Sequence, residues 1–236
     1  MISDDEAHGL IAEHDFVWHQ RFQLSTNVWS PGQHDIEHLL QRVGLPADLT
    51  GARVLDIGTT NGGAAFIAER RGATVTAVDI FPPTWFGFDR IAAALGSRAR
   101  FVEASVYELA DILGEKFDVV LFLGVLYHLR HPLLAIDALH RLAKAEVYVD
   151  TEVATGSAPS FARFFPGAEH AGDGSNWFVP TLQCLIDWFA SSGFDVDRAD
   201  QWPLESPSRG MVVARPHADP RYQSISYERP IRVHVD

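Results

Sequence analysis

Lysine and cysteine are nearly absent: 236 residues hold two lysines, Lys116 and Lys144, and one cysteine, Cys184. A lone cysteine can form neither an internal disulfide nor a thiolate cluster, which excludes a disulfide scaffold and a cysteine-rich zinc site within the chain. So few lysines, neither beside a glycine-rich loop, argue against Schiff-base chemistry. Long apolar runs are also missing. VVLFLGVLYHL meets Arg130 and His131, well short of the ~18 apolar residues of a membrane span. The start, MISDDEAHGL, is too acidic for a secretory leader. These absences predict a cytoplasmic protein with no membrane contact. Basic charge is scarce as well. Nineteen basic against thirty-one acidic residues leave a net charge of −12, so nucleic acid is disfavoured as a partner. The eleven histidines are scattered rather than set at zinc-ligand spacing, and no metal is predicted.

What is present is enough apolar residue, 47%, to bury a sizeable core in one α/β domain spanning 1–236. From Arg53 onward, short β-rich runs alternate with amphipathic stretches. The runs cover 52–58, 73–80, 99–105, 117–124 and 145–153, and the pattern predicts a Rossmann-like, doubly wound, mostly parallel sheet covered by helices on both faces. Gly72, Gly96 and Gly114 stand where the intervening helices should stop. Residues 1–50 read as an N-terminal helical cap, with HGLIAEHDFVWHQRFQL as a helix running into a loop, and 51–153 as the cofactor-binding core. The Gly-, Ser- and aromatic-rich stretch 154–180 reads as a lid after the fifth strand. Residues 181–236 complete the fold with a helix and two strand candidates. Tyr222, Ile225, Tyr227 and Ile231 in the tail form a candidate homodimer contact.

Four motifs fall in order at successive strand ends. In VLDIGTTNGG, Gly58 follows a buried strand, and Gly62 and Gly63 precede a helix, so the backbone can turn tightly and let a ligand approach. The loop is not GxGxxG, since Thr60 holds the second glycine position, and no Gly-Lys-Ser/Thr follows, so dehydrogenase and P-loop readings lose ground. Asp79 ends the second strand about 20 residues on, where an acidic side chain can accept from both ribose hydroxyls of an adenosine cofactor. Ser105 and Val106 follow the third strand. Tyr127 and His128 follow the fourth, in FLGVLYHLRHP, where open α/β sheets bind their ligands.

The loop with Asp56 resembles the first motif of class I methyltransferases. More widely, Trp18 to Phe194 is similar to the group that includes the tRNA wobble-uridine carboxymethyltransferases and related small-molecule enzymes. HQRFQL, SPG with Asp35, LDIGTTNGG, FLGVLYHLRHP and SNWFVPTLQCLIDWFASSGF carry that resemblance. It implies S-adenosylmethionine as donor and S-adenosylhomocysteine as product. The cofactor contacts it implies are Asp56, Gly58, Thr59, Asn61, Gly62, Asp79, Ile80, Ser105, Val106 and Leu123. Substrate is then held between cap and lid by Trp18, Gln23, Trp29, Arg163, Asn176 and Trp177.

Methyl transfer from a sulfonium is an in-line displacement, so an alcohol acceptor needs a base while a phenol or carboxylate needs far less help. His128 is the first candidate base, Glu152 the second, and Tyr127 a candidate contact to the methyl donor. Asp150 and Glu152 are read as pointing to opposite faces of their strand, which argues against a shared metal. The acidic balance favours O-methylation of a small-molecule or saccharide hydroxyl. The alternatives are tRNA wobble-uridine modification, kept open by Arg21, Arg130 and Arg163, and a non-catalytic cofactor-binding regulator.

Overall fold

The computed structural model describes residues 1–13, 15–155, 159–203 and 208–217; the tail residues Tyr222, Ile225, Tyr227 and Ile231 lie outside them. The cap consists of α1 (Asp4–Ala12), β1 (Gln20–Arg21), β2 (His34–Asp35) and α2 (Ile36–Arg42). The core follows as β3 (Arg53–Ile57), α3 (Gly63–Arg70), β4 (Thr74–Asp79), α4 (Phe88–Leu95), β5 (Arg100–Glu103), α5 (Leu109–Leu113) and β6 (Phe117–Leu123). A short 3-10 turn (Leu126–His128), α6 (Pro132–Leu142) and β7 (Ala143–Val153) continue it. The chain ends with β8 (Ala162–Phe164), β9 (Phe178–Pro180), α7 (Leu182–Ser191), β10 (Phe194–Trp202) and β11 (Ser208–Pro216).

Helix α1 starts earlier and stops sooner than the sequence suggests. A capping box fixes its start, with Ser3 accepting from the Glu6 amide and Glu6 reaching back to Ser3, and residues 15–19 lie outside any helix before β1 begins at Gln20. Gly96 and Gly114 close α4 and α5 in the left-handed conformation, as their positions predict.

Seven strands form the main sheet in the order β10-β11-β7-β6-β3-β4-β5. The first five core strands are parallel, and β11 runs antiparallel between β7 and β10. The doubly wound sheet expected from the alternating runs is therefore found. Its chain order reverses between β3 and β6, which opens a crevice at their carboxyl ends. Side chains of the cap, α3 and α4 pack on one face, where Phe22, Leu40, Phe66 and Ile91 are buried. Those of α5, α6 and α7 pack on the other, around Leu109, Leu139 and Phe189. Among the described residues, no helix is long and apolar enough to cross a membrane.

Alternation along β7 puts Val147, Val149 and Val153 on the α5–α7 face and Tyr148 on the cap face. Asp150 and Glu152, with one residue between them, share that cap-facing side; the opposite-face expectation is corrected by the two-residue period of a strand. Each carboxylate has its own partner, Asp150 with Arg209 and Glu152 with His170. Among the described residues, no group of three His, Cys, Asp or Glu side chains could hold a metal.

Candidate active site

The loop from β3 into α3 turns through positive φ at Gly58 (76°), Thr60 (47°) and Gly62 (89°). At Gly58 a side chain is barred twice: by that φ, and because a Cβ would lie 2.4 Å from Val125 Cγ2 of the next strand end. Thr60 adopts the left-handed conformation that the missing glycine would have taken, and it does so with its amide donating to Asp79 Oδ2 at 3.0 Å. Its hydroxyl is buried and has no hydrogen-bond partner among the described residues. Asp79 also accepts from the Phe81 amide at 3.1 Å through Oδ1. Burial pushes its carboxyl up. Each oxygen keeps a lone pair, so the carboxylate can still take two hydroxyl donors. An orphaned hydroxyl, a narrow backbone turn and an acceptor pair at the end of β4 fit the adenosyl group of S-adenosylmethionine.

Asp56 lies beneath this loop, 3% exposed, and Thr59 donates its hydroxyl to Oδ2 at 2.7 Å. Burial pushes its carboxyl up to about 6. The folded chain therefore holds this proton more tightly than the unfolded chain. Stability from it is full below the unfolded pKa near 3.8 and is lost as pH rises through about 6. Asp56→Asn, which does not titrate, is expected to gain about 2 kcal/mol on the parent between pH 4.5 and 7.5, read from urea melts at both values. An unchanged difference between the two pH values would show that Asp56 is ionised throughout.

Asn61 occupies a different place from the one expected of a cofactor ligand. It is fully buried, its Oδ1 accepts from the amides of His19 (2.8 Å) and Gln20 (3.0 Å), and its Nδ2 donates to the carbonyls of Val17 (3.0 Å) and Phe86 (2.7 Å). All its capacity is spent on tying the cap to the core. Gln20 adds a second tie, accepting from the Gly63 amide at the start of α3 at 2.7 Å. Thr59 likewise spends its hydroxyl on Asp56. Val106 is buried in the core, whereas Ser105 and Leu123 are half-buried at strand ends and Ile80 is 62% exposed beside Asp79.

Of the acceptor-side residues, Trp18 is buried in the cap, with its ring against Phe16 and Phe22. Gln23 turns to the Thr26 carbonyl and bridges to Trp29, over whose ring Arg21 lies at 4.3 Å. The others gather at the carboxyl end of β6 and β7. The Trp177 amide donates to the Tyr127 carbonyl at 2.8 Å, and the Phe165 amide to that of Trp177 at 2.9 Å, which lays the β8–β9 segment over the 3-10 turn. His128 Nδ1 lies 3.0 Å from Ser175 Oγ, which donates to Asp173, and burial holds the imidazole below its usual pKa. Arg130 lies over Trp177 at 5.0 Å and Arg163 over Phe165 at 4.7 Å.

Sequence reading missed Arg209 and His170. Arg209, on β11, holds the 3%-exposed side chain of Asp150 through both Nε and Nη2 and lies over the Tyr127 ring at 5.2 Å. Burial works against its charge, but the Asp150 carboxylate outweighs this and raises its pKa further. His34 of β2 is close enough for both charges to act on it, so cap and sheet face each other across this cluster.

A methyltransferase-domain family model matches residues 17–199. Among curated relatives, the tRNA U34 carboxymethyltransferase of Dichelobacter nodosus is 29% identical over 155 residues, 63% of this chain and 47% of the relative. That of Edwardsiella ictaluri is 32% identical over 165 residues, 66% of this chain and 49% of the relative. The chain thus spans about half the length of the curated relatives it matches. Among solved structures, the N-terminal domain of EvdMO1 with SAH bound shares the fold at a TM-score of 0.62 and 17% identity, covering 93% of this chain and 98% of that one. The relatives' names overturn the expectation that nucleic acid is disfavoured and the acceptor a small molecule or saccharide. Net charge averages the whole surface and carries no information on where single cations stand. With its motif loop, sheet order and family match in agreement, the chain belongs to the methyltransferase-domain family, as a class I S-adenosylmethionine-dependent enzyme.

Proposed function

We propose that this chain methylates the wobble uridine of transfer RNA, at a hydroxyl carried by the base. Cap (1–50), core (51–153) and lid (154–180) work as one unit in this reading. S-Adenosylmethionine supplies an electrophilic methyl group on a sulfonium. Gly58 and Gly62 would give the donor backbone room, Asp79 would hold its ribose, and Ile80, Ser105, Val106 and Leu123 would flank it. Tyr127, His128 and the lid close the acceptor side and keep water from the reacting atoms.

The pairing of arginine with aromatic rings at the lid carries this reading. Arg130 over Trp177 and Arg163 over the buried Phe165 bring two cations for phosphate beside the half-buried Trp177 ring, a flat face for an unpaired base, the two contacts by which single-stranded RNA is held. Phe161 and Phe164, 45% and 48% exposed, add further ring surface beside them. Removing either arginine as Ala is expected to weaken binding of bulk tRNA several-fold and to lower the slope of log affinity against log salt by about one. Filter binding at 50 to 200 mM salt reads both. Binding without salt dependence, or no affinity for tRNA at all, would sink the reading.

The donor this site suits is plain S-adenosylmethionine. Asp150 closes the Nε–Nη2 edge of Arg209 to the extra carboxylate of a carboxylated donor, and Arg130 and Arg163 lie over rings at the lid. Turnover on bulk tRNA with each donor in turn, followed by mass analysis of the nucleosides, separates the two. A methylated uridine supports the proposal, and a carboxymethylated one appearing only with the carboxylated donor reverses this assignment of the donor.

A further inference from the structure

His170 and Glu152 come together from separate parts of the chain. Glu152 stands near the carboxyl end of β7, and His170 lies in the segment between β8 and β9. Their Nε2 and Oε1 atoms are 2.7 Å apart, and the side chains are 21% and 14% exposed. Phe165 stacks on the His170 ring at 4.7 Å and fixes its plane. Nδ1, the other ring nitrogen, makes no hydrogen bond among the described residues. The 5%-exposed Asn176 donates through Nδ2 to the His170 backbone carbonyl at 3.4 Å, while its Oδ1 is buried with no partner among the described residues. Buried acceptors are ordinarily satisfied, so an orphaned Oδ1 on the residue that holds the His170 backbone points to a donor that a ligand brings.

We infer that His170, oriented by Glu152, is the base that takes the proton of the acceptor hydroxyl, and this rests on the methyl-transfer reading above. Glu152 accepts the Nε2 proton, which leaves Nδ1 as a bare acceptor and favours the imidazolium that forms. As the acceptor oxygen attacks the methyl carbon, its proton passes to Nδ1. The carbon–sulfur pair returns to sulfur, and the donor leaves as the neutral thioether. Asn176 Oδ1 is the acceptor for a second N–H or O–H of the same base. His128 is held at Nδ1 by the neutral hydroxyl and carbonyl of Ser175, whereas His170 has a carboxylate to stabilise the imidazolium that forms. His128 nevertheless shares the space, since the Glu152 charge acts on it.

His170→Gln keeps a donor for Glu152 but removes the imidazole. With bulk tRNA and S-adenosylmethionine its kcat should fall about 100-fold, the lower end of what a positioned base contributes, because a hydroxyl on a uracil ring is phenol-like and needs less help than an alcohol. KM and S-adenosylhomocysteine affinity should stay within about threefold of the parent. A kcat within threefold of the parent overturns the inference and leaves the pair a lid latch. The second measurement needs no acceptor: ring nitrogen shifts of His170 in the free protein at pH 8. They should show Nε2–H with Nδ1 bare, a preference that Glu152→Gln abolishes, whereas protonated Nδ1 in the parent overturns the assignment. If the parent binds donor yet transfers nothing to tRNA, the acceptor reading fails, and the ring nitrogens still decide whether His170 is built as a base.

Discussion

Asp79→Ala is expected to weaken S-adenosylhomocysteine binding about 100-fold in calorimetric titration, with little change in the fold. The side chain is 7% exposed, so what it binds is well shielded from water. A hydrogen bond to a carboxylate in such a place contributes about 1.5–3 kcal/mol, and two ribose hydroxyls make about 3 kcal/mol the lower estimate, or about two decades in affinity. Part of the loss arises within the chain itself. Asp79 also accepts from Thr60 and Phe81, so its removal frees the left-handed turn at Thr60 that shapes the loop. Asp79→Asn keeps an acceptor for the loop and should retain more affinity than the alanine. Since burial raises the Asp79 pKa, donor affinity in the parent should fall as the medium is acidified and the carboxylate takes up its proton. Affinity within threefold of the parent for a folded Asp79→Ala would remove the ribose from this carboxylate.

The parts of this site legible in the sequence are those that lie within a single strand–turn–helix step. Gly58 and Asp79 could be placed because a buried run, a glycine and the next run fix their positions within about 20 residues, and strand order does the rest. Side chains whose role depends on distant chain segments could not be read that way. Asn61 sits in the loop, yet its partners lie 41 to 44 residues before it, at His19, Gln20 and Val17, and 25 after it, at Phe86. Arg209 and Asp150 are 59 residues apart and meet only because β11 lies beside β7. Glu152 was visible as a carboxylate at a strand end, but His170 was not visible as its partner, because the lid returns over β7 by tertiary packing alone. Trp18 was visible as an aromatic residue of the cap, but its packing against Phe16 and Phe22 was not, because those contacts depend on how the cap folds.

Arg209→Ala is expected to destabilise the protein by about 3 kcal/mol, at the lower end of the range for breaking a buried ion pair, because Arg209 is itself 27% exposed. The penalty comes from Asp150. Its side chain, 3% exposed, loses both hydrogen bonds from the fork and remains a carboxylate with no counter-charge. Arg209→Lys should recover only part, since a point charge cannot supply two donors in the plane of the carboxylate. Replacing both members, as in Asp150→Leu with Arg209→Met, should bring stability back to within about 1 kcal/mol of the parent, because a well-packed apolar pair avoids the desolvation that the ion pair must offset. Urea unfolding of the singles and the double reads the cycle. If the double variant is as stable as expected and still binds donor but transfers no methyl group, then the pair serves the reaction, through the Tyr127 ring beneath Arg209, and its stability is incidental. If the double variant transfers as the parent does, the pair is a fastening between β7 and β11, and the acceptor side of the site is narrowed to the lid, Glu152 and His170.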